Sequence, residues 1–512
     1  MVPTHEALAL RGIRITLVIN IAAIVFQTAI MATLARLVTA ADYGLLAGAL
    51  MLMRVVQHLI VAGPERALLL LPEPDPATLS VVFRAFVVVG LVVSILLAAG
   101  SGLALWLGLA PSFALTLAAL SPLLPLTTAG IVFRAVLRRR LAFGRLTLAD
   151  TAGQLVGGGA VAFVAASAGW GVFALVLGQL AASLLQTVLI AGFALRSGHV
   201  RILNSPPSWR PLLAPIITTS LAIGRTSLLE VLHGQIPLTT IGLLLGEVSL
   251  GMCNRAVALV QVPLELLVSA VTRVRISTIT AHRDDGTALR AACQDLMSVS
   301  GAIILPLSAG MAAAATPLTV TVLGSEWRAA GAAVAWTAVA AGAGQLGHVV
   351  AVINEGMLRF DDRFRIQLAT TVIAVAGMVL GGWTAELSGA LAGWAAGCGV
   401  FLALHLLVAA QALSLPLAAL CGTLLPGAAA AAGCVAAISA VSALLPGFSA
   451  PMRLLADILL CATVTTGLYA FCFTSLFTLL LRHAGVRRPM VRDDCPADGA
   501  AAPDTAPPPL VR

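Results

Sequence analysis

The chain has 512 residues, 59% of them hydrophobic and only 10% charged, with a formal net charge of +8. Soluble domains carry about one quarter charged residues, so this composition excludes a soluble enzyme, an extracellular module and a nucleic-acid binder. All 30 basic residues are arginine, and they fall between apolar runs as membrane topology requires rather than in a nucleic-acid-binding patch. A spanning helix needs about 20 apolar residues. The reading is an all-α polytopic membrane protein with about 14 transmembrane helices.

The apolar runs, taken in chain order, predict spans near 15–35, 44–63, 79–107, 112–133, 148–167, 171–195 and 212–243. They continue near 250–272, 291–315, 329–352, 367–384, 388–411, 419–445 and 452–481. The run after Arg14 is full length and lacks a convincing cleavage site, so it reads as a retained first span. With the N-terminus cytoplasmic, 24 of the 30 arginines fall inside and three outside (Arg36, Arg328 and Arg453). Both termini are therefore expected in the cytoplasm. Every outside loop is short, which leaves no room for an extracellular catalytic domain and argues against a membrane enzyme such as a glycan polymerase.

The eight cysteines are scattered, with no CxxC motif and no Cys/His cluster, so they predict neither a metal site nor a disulfide framework. They read as small apolar filler. No nucleotide-binding motif occurs, and no cofactor is expected.

The chain resembles itself at an offset of 207 in one place and 221 in a second. LVTAADYG (37–44) lies over LLGEVSLG (244–251), pairing Gly44 with Gly251, and LRRRLAF (137–143) lies over LRFDDRF (358–364). This predicts a six-helix half over 1–195, a cytoplasmic linker over 196–211 and a second six-helix half over 212–411. Two additional helices over 412–484 and a disordered Pro- and Ala-rich tail over 485–512 follow. Each half has an even number of spans, so the two share one orientation and place a substrate site between them.

ATLARLVTAADYGLLAG (32–48) is similar to the first-hairpin signature of the polysaccharide transporter family, the Wzx-type lipid-linked oligosaccharide flippases. That family belongs to the multidrug/oligosaccharidyl-lipid/polysaccharide exporter superfamily. FRAVLRRRLAFGRLTLAD (133–150), GWGVFALVLGQL (169–180), IGLLLGEVSLGMCNRAVALVQVPLELL (241–267) and VTVLGSEWRAAGAAVAW (320–336) resemble later family segments in the family's order. The resemblance implies a bacterial inner-membrane flippase for undecaprenyl-pyrophosphate-linked oligosaccharides, serving lipopolysaccharide O-antigen or exopolysaccharide assembly. It implies membrane lipids as partners, and a periplasmic-face polysaccharide polymerase with its chain-length regulator. A multidrug or cation antiporter of the same superfamily and a lipid II flippase are the alternatives. Around Gln235 and Pro237 many such relatives carry an acid, and here there is none.

Ionisable groups inside the bilayer are costly unless they face a cavity or a partner, so they mark candidate site residues. In span 2, Arg54, Gln57 and His58 share one face and reach roughly 15 Å into the membrane by helical rise. In span 7, Arg225, His233 and Gln235 accompany Glu230, beside Gly234 and the kinking Pro237. Read functionally, Arg54, Gln57, His58, Arg225, His233 and Gln235 bind substrate, while Glu230 and Glu265 couple ions. Read structurally, the same groups are inter-helix networks that offset their own burial. Arg255 reads as snorkelling near the outer end of span 8. Asp150 with Gln154, and His405, read as structural. Asp457 reads as hydrated at the outer boundary, and Arg138, Arg139 and Arg140 as topology determinants.

Overall fold

The computed structural model describes residues 26–70, 75–108, 110–197, 210–281, 286–357, 360–444 and 447–473. All regular structure among them is helical, and eleven helices are long and apolar enough to cross a membrane. In chain order the helical segments are α1 (Phe26–Ala35), α2 (Ala40–Leu70), α3 (Pro76–Trp106), α4 (Pro111–Arg139), α5 (Phe143–Ser167) and α6 (Val172–Arg196). They continue as α7 (210–245), α8 (247–281), α9 (Gly286–Ala313), α10 (Gly331–Gly356), α11 (360–384) and α12 (387–413). The last two are α13 (Leu417–Leu444) and α14 (Ala450–Phe471). Each expected apolar run overlaps one of these helices; the first is described only from Phe26 onward, and the part of the last beyond residue 473 lies outside the described residues.

Local chemistry sets the ends. Thr39 opens α2 with a capping box: its hydroxyl oxygen accepts from the Asp42 amide at 3.2 Å, and the Asp42 carboxylate accepts from the Thr39 amide at 3.3 Å. The same carboxylate accepts from the Val172 amide at 3.1 Å, tying the start of α2 to the start of α6. Asp75 caps α3 by accepting from the Thr78 amide at 2.8 Å, with Pro76 in the first turn. At the far end of α2, Arg139 Nε donates to the Leu68 carbonyl at 2.8 Å, and Arg138 pairs with Glu65 at 3.0 Å. The arginine run read as a topology signal therefore also satisfies carbonyls that a helix end leaves open.

The corner between α7 and α8 is Gly246, at φ +79° and ψ −175°, a backbone that a side chain would strain. Ala385 and Glu386 break the helix between α11 and α12 in the same way. Both breaks fall in the gaps between predicted spans. The described outer face of α3 presents Val88, Leu91, Val92, Ile95 and Leu96 as exposed side chains. A surface so apolar suits hydrocarbon as its solvent.

The first six helices meet the later ones at a crossing of α2 and α8. A Cβ on Gly44 would run into the Glu247 carbonyl, and one on Gly251 into the Ala40 carbonyl. The contact is reciprocal, since 40 and 247, like 44 and 251, are 207 residues apart. Self-complementary contact of this kind is what a two-fold axis produces. Nearby, the 3-10 turn Ser325–Ala330 inserts Trp327 into the core of the first helices, beside Leu34, Tyr43 and Leu323. α13 and α14 dock on α9, where Tyr469 Oη donates to the Ala302 carbonyl at 2.7 Å and Gly427 abuts the Gly301 backbone.

Candidate functional site

A cavity of about 770 Å³ lies where α1, α2, α5 and α6 face α7 and α8. That size is within the range of small-ligand sites, about 300–1,000 Å³. Its lining is unusual for a membrane interior. Among the described residues it holds Arg54 and Arg255, six glutamines and Asn254, but no aspartate or glutamate.

Arg54 comes from the middle of α2, exposed to this space, and among the described residues its guanidinium has no hydrogen-bond or ion-pair partner. Arg255 comes from α8. It donates to Asn254 Oδ1 at 2.6 Å and lies 4.2 Å above the centroid of the Tyr43 ring. A cation over an aromatic face contributes about 0.5–2 kcal/mol and leaves the charge uncompensated. Tyr43 in turn meets Trp327 edge-on at 5.7 Å, and Trp327 Nε1 donates to the Ala35 carbonyl at 2.7 Å. Arg36 donates to the Thr321 carbonyl at 3.3 Å. One arginine of the cavity thus rests on the seal that joins α1–α2 to the Trp327 turn.

Of the expected site residues, Arg54, Gln57 and Gln235 line the cavity. His58 is half-buried off its wall, at the start of a π-helical turn over His58–Ala62. His233 faces α11, where its Nδ1 is 2.5 Å from Thr371 Oγ1. That hydroxyl already donates to the Gln367 carbonyl at 2.7 Å, so the imidazole is the donor. Glu265 is exposed on α8 outside the cavity lining. The side chains of Arg225 and Glu230 lie outside the described residues.

Three expectations are corrected. Arg255 does not snorkel; the helix begins at 247 rather than 250, and Gly251, one turn earlier on the same face, brings Arg255 against α2. Gln154 does not partner Asp150; Asp150 pairs instead with Arg134 at 3.6 Å and accepts from Gln186, while Gln154 faces the cavity. Asp457 is buried on α14 rather than hydrated, and among the described residues neither of its oxygens has a hydrogen-bond partner. His405 is structural as read, fully buried with Asn354 Nδ2 at 3.1 Å and the Phe401 ring at 4.6 Å. Gln27, Gln179, Gln186 and Asn254 are cavity residues that the sequence reading missed.

Chemically, two cations with neutral donors around them and low-dielectric walls favour a negative charge. Comparison with known proteins gives the family. The profile of the family described as polysaccharide biosynthesis protein matches residues 33–332. The chain is 23% identical over 365 residues to the lipopolysaccharide biosynthesis protein WzxC of Escherichia coli K12, covering 71% of this chain and 73% of that one. It is 24% identical over 298 residues to the succinoglycan biosynthesis transport protein ExoT of Rhizobium meliloti, covering 57% and 58%. In fold it is similar to the lipid II flippase MurJ in an inward closed conformation, with a TM-score of 0.70 at 12% identity over 89% of this chain and 100% of that one. An inward-facing multidrug resistance MATE family transporter of the MOP superfamily superposes with a TM-score of 0.52 at 17% identity, covering 77% and 98%. With more than half of its length matched, this multi-pass membrane chain belongs to the polysaccharide biosynthesis protein family, the transporter lineage its first-hairpin motif resembles.

Proposed function

We propose that the protein is a flippase that moves undecaprenyl-pyrophosphate-linked oligosaccharide units across the bacterial inner membrane for O-antigen or exopolysaccharide assembly. The observation that carries this reading is the pair Arg54 and Arg255 in a cavity whose described lining holds no carboxylate. A guanidinium at membrane depth costs several kcal/mol unless something compensates it. Here the described lining holds no compensating charge, and the substrate's diphosphate supplies it. A cation antiporter needs acids at this place, and the described lining has none. The names of WzxC and ExoT, a lipopolysaccharide and a succinoglycan protein, support a glycan cargo, and the name of MurJ a lipid-linked one.

In this reading α1–α6 and α7–α12 are two bodies that rock about the Gly44–Gly251 crossing, giving alternating access. The lipid tail stays in the bilayer while the headgroup passes through the cavity. Glu230 and Glu265 are retained as proton carriers, and a polymerase with its chain-length regulator receives the product on the far face.

The test follows labelled lipid-linked oligosaccharide in membranes with and without the protein and scores the leaflet it occupies. Accumulation on the cytoplasmic face in its absence is expected. Arg54→Ala and Arg255→Ala should give the same block at unchanged membrane abundance. An unchanged leaflet distribution without the protein rejects the proposal, and normal export by both variants rejects the arginines as its binding groups.

A further inference from the structure

We propose that the cavity has two parts, the arginine part and a separate amide part on α1, α5 and α6 that holds uncharged sugars next to the diphosphate. The inference rests on the flippase reading and adds the chemical class of the sugars it accepts. The two arginines stand on α2 and α8, the helices that cross at Gly44 and Gly251. Facing them are Gln27 on α1, Gln154 on α5, and Gln179 and Ser183 on α6.

These groups have no work within the protein. Among the described residues, the amides of Gln27, Gln154 and Gln179 make no hydrogen bond to protein. Ser183, a lining residue only 6% exposed, has a buried Oγ with no hydrogen-bond partner among the described residues. The unpaired Ser183 hydroxyl, being buried, costs about 1–3 kcal/mol unless ligand or water meets it, and the three amides open onto the same space with their hydrogen-bonding capacity unused by protein. Gln186 is different: Asp150 accepts its amide and also pairs with Arg134 at 3.6 Å, making a fixed backing for the wall.

The backbone is shaped around this wall. Residues Gly153–Ala160 of α5 form a π-helical stretch, a winding that concentrates at functional sites. A Cβ on Gly157 would come within 2.6 Å of the Ala181 carbonyl oxygen, and one on Gly159 would strike Ile30. Only glycine there lets α5 press against both α6 and α1, which turns Gln154, Gln179 and Gln27 into one space. An amide offers a donor and an acceptor together, matching a sugar hydroxyl or an acetamido group without adding charge. With no acid among the described lining residues, a cationic amino sugar finds no partner there.

The experiment measures binding by the purified full-length protein of two probes. One is a bare polyprenyl diphosphate and the other is the same lipid carrying neutral N,N′-diacetylchitobiose. Wild type should bind the glycan-bearing probe about tenfold more tightly, the equivalent of one or two net hydrogen bonds. Gln154→Leu/Gln179→Leu should lose that increment and keep its affinity for the bare lipid within about twofold, which also reports that the variant is folded. Ser183→Ala with Gln27→Leu is the second variant and should behave the same way. Wild type without an increment, variants that keep it, or variants that lose both probes alike would overturn the amide part. Failure of wild type to bind either probe would instead remove the flippase reading beneath it.

Discussion

At the scale of single residues, Arg255 is the informative case, because it belongs both to the cavity and to the seal above it. An anion that draws Arg255 towards the cavity draws it off the Tyr43 ring, 4.2 Å below it. Arg255→Lys keeps the charge and loses the planar fork, so it should retain part of the transport that Arg255→Gln abolishes. Tyr43→Leu removes the cation–π contact and the edge-on contact with Trp327. It should leave diphosphate affinity equal or higher while slowing translocation. A loss of affinity equal to that of Arg255→Gln would show that Tyr43 touches substrate rather than holding the arginine. Arg54 and Gln57 were legible in the sequence because three-residue spacing alone puts them on one face. Arg255 was not, because distance from the end of a span says nothing about which face a residue occupies. The readable signal was Gly251, four residues before it and singled out by the repeat. Gln27, Gln179 and Gln186 were invisible for another reason: a neutral amide in an apolar helix is common, and only packing shows that several converge.

At the scale of elements, the crossing of α2 and α8 demands glycine on both sides. Gly44→Val or Gly251→Val places side-chain atoms where carbonyls now stand, and overpacking of this kind costs about 1–3 kcal/mol or forces the helices apart. The expected result is a protein held open at the Trp327 end. Cysteine placed at Gln179 should then react with a membrane-impermeant maleimide faster than in the parent; equal rates would mean that the crossing does not close the cavity. The start of α3 gives a second prediction. The Thr78 hydroxyl and amide hold the Asp75 carboxyl below its ordinary value, so the charged cap is favoured in the folded state. Its stabilisation is present above the unfolded carboxylate value of about 3.9 and is lost only as pH falls through the lowered one. Asp75→Ala should cost about 1 kcal/mol, with the difference from wild type the same at pH 7 and pH 5. A difference that shrank between those two values would contradict the assignment. Apolar runs placed the starts of α2 and α3 and the α7–α8 break a few residues from where they lie, because the chemistry that sets them, at Thr39, Asp75 and Gly246, is outside the runs. The π-helical stretches were not legible, since a wider turn carries no residue signature of its own.

At the scale of the whole molecule, sidedness decides which way the cavity must work. The end holding Arg138, Arg139, Arg140, Arg145 and Arg196 is the end of the Glu65–Arg138 pair, and Arg36, Arg328 and Arg453 lie at the opposite, Trp327 end. The positive-inside bias predicts that the first end is the cytoplasmic one. The seal built from Tyr43, Trp327 and Ala35 then closes the periplasmic side, and a substrate loaded from the cytoplasmic leaflet reaches Arg54 before it reaches the seal. Exposed corner positions test this directly. Leu141 and Ser414 mark one end, and Trp170 and Ser449 the other. Cysteines placed singly at these sites, in a background freed of the native thiols, should divide cleanly in intact spheroplasts: Trp170→Cys and Ser449→Cys react with an impermeant reagent, and Leu141→Cys and Ser414→Cys react only after permeabilisation. The inverse pattern would put the arginine-rich end outside. Export would then require the Tyr43–Trp327 seal to be the loading gate, and the order in which the headgroup meets Arg255 and Arg54 would reverse.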